Sequence, residues 1–300
     1  MALSYAFERG CGFVILQAKD RTIEMSERPL VMGVVNVTPD SFFDGGRYAT
    51  PDAAIRHALR LAEEGADLLD IGAESTRPGA ESIDGGEELR RLMPVLAAVA
   101  KAVSIPISVD TMKSAVARAA LEEGAVIVND VSALRADPAM VEVVAATRAG
   151  VVLMHMQGMP RTMQEAPAYD DVVSEVAEFF RERIRFCGDR GIGQDQIVLD
   201  PGIGFGKLLL HNLALLGQLE TFMPFGRPIL VGVSMKSFIG QVLGRPVEER
   251  SWGTAAAVAL AVSQGAGIVR VHDVKAMKEV VAMAAAITRY AGTSARVQHA

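Results

Sequence analysis

The amino-acid sequence predicts an α/β protein of the (β/α)8 TIM-barrel class, preceded by an N-terminal β-hairpin. Three observations lead there. Short, almost continuously apolar runs rich in Val and Ile recur with helical patterns between them, as strands buried on both faces of a parallel sheet do. Glycine falls just past several helical segments, where a left-handed residue ends a helix. The apolar runs also finish on polar side chains, and in a parallel barrel such strand ends converge on the active-site face.

Taken in order, residues 1–28 lie outside the repeating pattern. Within them FVILQA and RTIEM flank the turn residues Lys19 and Asp20, the expected hairpin that caps the barrel bottom. The strand candidates are PLVMGVVNV from Pro29, DLLDIGA from Asp67, IPISVDT from Ile105 and AVIVNDV from Ala125. GVVLMHM from Gly150, QIVLDPG from Gln196, PILVGVS from Pro228 and GIVRVHD from Gly267 follow. Between the first two, PDAAIRHALRLAEEG places Ala54, Ile55, Ala58, Leu59 and Ala62 on one stripe, opposite Arg56, Arg60 and Glu63, as an amphipathic helix requires. VVSEVAEFFRERI and AMKEVVAMAAAI repeat that spacing. Gly65, Gly124, Gly150, Gly191 and Gly265 are the expected helix stops. Units of this kind without a composition break favour one closed barrel spanning residues 1–300 over a doubly wound open sheet, although counting units leaves closure unproved. The tail 291–300, AGTSARVQHA, carries no apolar period, and fraying is expected there.

Composition narrows the function. Half of the 300 residues are hydrophobic and 22% are charged, as in an ordinary globular domain. The formal net charge of −6 gives no general attraction to nucleic acid or an anionic membrane, so an anionic ligand needs a local set of donors. Cys11 and Cys187 are the two cysteines; they make neither a disulfide framework nor a zinc site, which fits a reducing cytoplasm. The N-terminus lacks a basic stretch followed by a long apolar run, and no apolar segment reaches the roughly 20 residues of a membrane span. The expected partner is a small molecule.

Asn36, Asp70, Asp110, Asn129, His155, Asp200, Ser234 with Lys236, and Arg270 with His272 finish the strand candidates. Polar residues also end strands as turn and cap residues, but a complete ring of them points to a site. Asp110, Asn129, Asp200 and Lys236 suit a flat heterocycle such as a 2-amino-4-oxo pyrimidine. Carboxylates accept from its adjacent N–H groups, and Lys236 and the Asn129 amide donate to its carbonyl and ring nitrogens. Asn36, Arg270 and His272 prefer an anion: Arg clamps phosphate oxygens, and Asn can coordinate a hard cation such as Mg2+ that also binds phosphate. The alternative for Arg270 is a salt bridge to a strand-end Asp. His57 and His211 lie on helical segments and are expected to face solvent. Two long loops, TPDSFFDGGRYAT from Thr38 and ESTRPGAESIDGGEE from Glu74, are candidate lids. DPGIGFGK, from Asp200 to Lys207, is not a phosphate loop, because Pro201 stands where a Walker motif needs glycine and Leu208 follows the lysine. Its spacing also departs from the dinucleotide fingerprint.

Together MGVVNVTPDSFFDGG, DIGAESTRPGA, SVDT, IVNDVS, LMHMQGMP, LDPGIGFGK, GVSMKSF and RVHDV resemble the dihydropteroate synthase family, in the expected order from about Met32 to Asp273. NVTPDSF and ESTRPG are the specific motifs. The resemblance implies that Asp110, Asn129, Asp200 and Lys236 hold a pterin, with Met154 and Ile127 among its apolar walls. It implies pyrophosphate binding by Arg270, His272, Asn36 and Arg77, with Asn36 a Mg2+ ligand. Thr76, Arg77, Pro78, Phe205, Lys236 and Ser237 would shape a p-aminobenzoate site at which sulfonamides compete, and a homodimer is the family expectation. Met235 stands where the family often has Arg, and no role is assigned to it. The nearest rival by resemblance is a pterin-binding methyltransferase barrel, which shares the Asp and Asn grip; a catalytically silent pterin-binding subunit is the rival from another class. The implied reaction needs no protein nucleophile, and the sequence carries no Ser-His-Asp or Cys-His signature.

Overall fold

The computed structural model describes residues 14–25, 28–38, 50–76 and 79–297. Strands β1 (Ile15–Ala18) and β2 (Arg21–Glu24) form the antiparallel hairpin, with Lys19 in the left-handed region at φ 58°. The parallel strands are β3 (Leu30–Asn36), β4 (Leu68–Gly72), β5 (Ile107–Asp110), β6 (Ile127–Asp130), β7 (Gly150–Met154), β8 (Ile197–Asp200), β9 (Leu230–Val231) and β10 (Ile268–Val271). They pair in the order β8-β7-β6-β5-β4-β3-β10-β9. A parallel bridge between Leu199 and Ile229, with the Leu199 N–H donating to Pro228 O at 2.9 Å, joins the ends of that series. The sheet therefore closes on itself and exposes no long edge.

Helices clothe the outside: α1 (Pro51–Glu63), α2 (Gly85–Ala102), α3 (Ser114–Glu123), α4 (Met140–Thr147), α5 (Val172–Asp189), α6 (Leu209–Gly217), α7 (Ser237–Leu243), α8 (Ser251–Ser263) and α9 (Val274–Val297). In α1 the fully buried line is Ala54, Ala58 and Leu61, with Ala53 beside it, while Ile55 and Leu59 are half-buried. The inward face is thus rotated slightly from the stripe read off the sequence. Outside the strands the core is one continuous cluster of strand and helix residues, from Val31 and Leu61 through Phe180 and Phe222 to Val281.

Several expectations need correction. Gly65, Gly124, Gly191 and Gly265 take positive φ after their helices, but Gly150 lies inside β7. The left-handed cap of α4 is Arg148, at φ 55°. Gly150 instead permits close packing: an added Cβ would lie 3.2 Å from Ile127 Cγ1 and 3.3 Å from Ala18 Cβ of the hairpin. The chain from Ala291 to Val297 continues α9, because extending an existing helix adds a hydrogen bond for each residue fixed and needs no new nucleus. Only 298–300 of the tail lie outside the described residues. GGEE of the second loop forms the first turn of α2, where the Asp84 side chain caps the helix by accepting from Glu87 N at 3.0 Å. His57 and His211 are half-buried, and the His211 ring meets Tyr169 edge-on at 4.9 Å.

The barrel interior is layered. Met32, Leu68, Ile127, Val152, Val198, Leu230 and Ile268 form an apolar plug with Leu16, Ala18 and Ile23 of the hairpin. The hairpin therefore seals the N-terminal end of the barrel. Since strand side chains alternate between faces, residues two further along point inward one layer higher, and there the interior becomes polar: Asp70, Asn129, Asp200 and Arg270.

Candidate active site

The polar layer is a connected network at the C-terminal ends of the strands. Arg270 Nε donates to Asp70 Oδ2 at 2.6 Å and its Nη2 to Asp110 Oδ2 at 3.0 Å. Asn129 Nδ2 also donates to Asp70 Oδ2, at 2.9 Å. Asp70, which is completely buried, thus fixes the Asn129 amide so that one N–H is already committed, leaving its carbonyl oxygen and the other N–H for a ligand. On the far side Asp200 Oδ1 accepts from Gly202 N at 2.7 Å. Lys236 Nζ donates to Ile203 O and lies 4.7 Å from the centre of the Phe205 ring, a cation over an aromatic face.

The backbone that presents Lys236 is unusual. Met235 takes a left-handed φ of 60°, which a non-glycine residue adopts only when its surroundings enforce it. Thr254 Oγ1 accepts from its N–H at 3.1 Å and Arg250 Nη1 donates to its carbonyl at 3.0 Å. Those clamps turn the chain so that Lys236 and Ser237 start α7 at the mouth. Beside them His272 Nδ1 lies 2.9 Å from Ser234 Oγ, which accepts from the His272 backbone N–H at 3.3 Å. With that hydroxyl donating to Nδ1, the ring proton sits on Nε2 as a donor.

Burial governs the electrostatics. The Asp110 carboxyl is pushed up to about 7 by burial first and by the neighbouring Asp70 charge second, with Arg270 opposing both. Burial also raises Asp200 against the pull of Lys236, and lowers Lys236 to about 8 against the pull of Asp200. Arg270 loses solvation too, but Asp70 and Asp110 more than offset that and hold it in its charged form. Two carboxylates and two cations so placed lack solvent partners, which favours a ligand with matching donors and acceptors. A pH dependence follows. A ligand that donates to ionised Asp110 and accepts from protonated Lys236 should bind more tightly as pH rises through about 7 and less tightly as it passes about 8. Calorimetric titration of a pterin analogue over that range should give a bell-shaped affinity profile; a flat one would show that neither group changes charge in the site.

The structure brings together Asp110, Asn129, Asp200, Lys236 and Arg270 as the sequence proposed, and it realises the salt-bridge alternative for Arg270. Met154 lies with Val131, Met156 and Met163 in an apolar cluster against which Met112 and Phe205 pack. Ile127 does not join that wall. It belongs to the plug one layer below, while Val131, beyond Asn129, clusters with Met154. Period-two counting from Asn129 points to both neighbours and does not say which lies at ligand height. Asp70 stands in the strand-end ring read from the sequence, but nothing in sequence reveals which strand-end Asp Arg270 sits on; Met112, which packs on the Met154 cluster, was not singled out. Thr76 is half-buried, and the base of its loop is tied down by Glu74, which accepts from Ile83 N at 3.0 Å and pairs with Lys113 at 2.6 Å. Arg77 and Pro78, like most of the loop after β3, lie outside the described residues.

Asn36 ends β3, which pairs with β10, the strand carrying Arg270. Among the described residues no group of three or more His, Cys, Asp or Glu could hold a metal. A single amide oxygen still fits Mg2+, since that ion keeps several waters and takes further oxygens from substrate phosphates.

Comparison with known proteins agrees with this geometry. Residues 32–272 match the family model described as pterin binding enzyme. The dihydropteroate synthase of Escherichia coli strain K12 is 48% identical over 260 residues, 87% of this chain and 92% of that protein. Among solved structures, the Yersinia pestis dihydropteroate synthase in a sulfonamide drug complex superposes with a TM-score of 0.87 at 45% identity, covering 91% of this chain and 98% of that one. The Xanthomonas albilineans enzyme with 4-aminobenzoic acid gives 0.85 at 47% identity over 92% of this chain and 98% of its own. With the strand-end network and the matched length, this chain belongs to the pterin-binding enzymes, among the dihydropteroate synthases.

Proposed function

We propose that the protein joins 6-hydroxymethyl-7,8-dihydropterin pyrophosphate to p-aminobenzoate, giving 7,8-dihydropteroate and pyrophosphate in folate biosynthesis. The observation that carries this reading is the pair of almost fully buried carboxylates, Asp110 and Asp200, each 7% exposed, facing Arg270 and Lys236 at the barrel mouth. The Xanthomonas albilineans relative has been solved with 7,8-dihydropteroate, the product such a site would release.

Asp110, Asn129, Asp200 and Lys236 grip the pterin edge between Met154, Val131 and Phe205. Arg270, His272 and Asn36 receive the pyrophosphate, with Arg77. Thr76, Arg77, Pro78, Phe205, Lys236 and Ser237 shape the p-aminobenzoate site. The amine nitrogen attacks the pterin methylene carbon, the carbon–oxygen bond to pyrophosphate breaks, and the amine gives up a proton. The chain's own residues orient the two substrates and stabilise separated charge. Mg2+ held at Asn36 would supply further charge for the leaving group. Arg270 faces a choice between Asp110 and incoming phosphate oxygens, so occupation of the anion subsite would free Asp110 to accept from the pterin.

The test is incubation of the purified protein with Mg2+, the dihydropterin pyrophosphate and p-aminobenzoate. Dihydropteroate should form, and sulfonamides should inhibit competitively with p-aminobenzoate; no product from intact substrates would sink the assignment.

A cytoplasmic location is part of the proposal; no helix among the described residues is long and apolar enough to cross a membrane. A second copy of the chain is the proposed macromolecular partner. α8 touches α6, α7 and α9, and this group of helices exposes Leu210, Val242, Trp252, Leu260, Met283 and Ile287, with Trp252 87% exposed. Exposed apolar side chains spread over these neighbouring helices suit the proposed interface between like subunits. Sedimentation should report a dimer, and Trp252→Glu should shift it toward monomer; a monomeric parent protein would refute this.

A further inference from the structure

We propose that Lys207 is a positioning residue for the pterin site: its buried ammonium staples the loop after β8 to the loop after β7 and so sets where Phe205 and Lys236 stand. The proposal rests on the functional reading above and gives a role to the DPGIGFGK segment, which is not a phosphate loop.

Lys207 is 3% exposed. Its Nζ donates to His155 O at 3.2 Å and to Phe205 O at 3.0 Å, and lies 3.0 Å from His155 Nδ1. Burial lowers Lys207 to about 7 against the pull of Asp200; in the charged form it has three donors, and this set employs all of them and leaves none for a phosphate. Burial first, then the Lys207 charge, lower His155 to about 2. The imidazole is therefore neutral, and Nδ1 can offer a lone pair.

Between Pro201 and Lys207 the chain has no helix or strand, yet its carbonyls are held one after another by side chains, three of them from other loops and one from Lys207 itself. Lys236 donates to Ile203 O, Gln164 to Gly204 O at 2.8 Å, Lys207 to Phe205 O, and the Tyr169 hydroxyl to Gly206 O at 2.8 Å. The glycines permit that close approach. Gly202 and Gly206 have φ of 68° and 61°, and a Cβ on either would fall 1.9 Å from His155 O or 2.5 Å from Gln157 O. The Phe205 ring stands on this loop and Lys236 is tied to it through Ile203 O; both belong to the proposed pterin site. Lys207 fastens it from beneath, between β7 and β8, on the opposite side of the mouth from Asn36 and His272.

Lys207→Met keeps the length of the side chain and removes its donors. In calorimetry on the folded variant, affinity for a pterin analogue should fall at least about tenfold, while pyrophosphate affinity should stay within about twofold, as expected for a separate subsite. A general loosening of the fold would lower both. Lys207→Arg should not restore the pterin affinity, because a planar fork cannot serve three convergent acceptors. Pterin affinity equal to the parent, equal losses for both ligands, or restoration by Arg would overturn the proposal. So would failure of both variants to fold, which would make Lys207 a folding residue. A parent protein that bound no pterin analogue would instead overturn the functional reading.

Discussion

Asp200→Asn is expected to weaken binding of a pterin analogue at least about a hundredfold, a loss of roughly 3 kcal/mol. The substitution keeps the shape of the side chain, and the structure dictates how the new amide would lie. Gly202 N donates to Asp200 Oδ1 at 2.7 Å, so the amide must keep its oxygen there. Its NH2 then takes the place of Oδ2 and faces the pterin's own N–H donors. A charge-assisted hydrogen bond is lost and two donors oppose each other in a buried space. Lys236 also loses the anion that offsets its burial. Pyrophosphate, received by Arg270, His272 and Asn36, should bind nearly as before. Paired calorimetric titrations decide this: an unchanged pterin affinity, or equal losses for both ligands, would dissolve the division of the site.

Arg270→Ala should have the largest effect on stability, about 3–5 kcal/mol, because it leaves Asp70 and Asp110 facing each other inside the barrel without a cation. Asp70 Oδ1 already has no hydrogen-bond partner, so little else compensates. The same change should weaken pyrophosphate binding by about 1.5–3 kcal/mol, the scale of a charged hydrogen bond. The pH dependence has a definite sign. Asp110 is already raised to about 7, and without Arg270 it rises further. A carboxyl held above its unfolded value binds more protons in the folded state, so stability falls as pH rises toward the folded pKa. The deficit of the variant relative to the parent should accordingly shrink as pH is lowered toward about 7, where Asp110 of the parent also takes up its proton, and level off below that. Denaturant titration at two pH values, with pyrophosphate calorimetry, checks both parts. A pH-independent deficit under about 1 kcal/mol with unchanged pyrophosphate affinity would show that the ion pairs do not hold this layer and that Arg270 is no clamp.

The sequence by itself determined the local periods and their ends: which runs are strands, the helical spacing of the segments that became α1, α5 and α9, where Gly65, Gly124, Gly191 and Gly265 end helices, and that Asp110, Asn129, Asp200 and Arg270 finish strands. These are legible because burial on both faces, amphipathic spacing and positive φ each act over a few neighbouring residues. Tertiary structure decided the rest. Closure came from Leu199 meeting Ile229, and Arg270 found Asp70 across 200 positions, contacts that no local pattern encodes. Height within the barrel separated Val131, which lines the apolar wall beside Met154, from Ile127, which packs on the hairpin, because period two specifies a face but not a layer. Lys207 shows the same limit: its motif spacing excludes a phosphate loop but gives the lysine no role, and only the carbonyls of His155 and Phe205 converging on Nζ make it a buried staple.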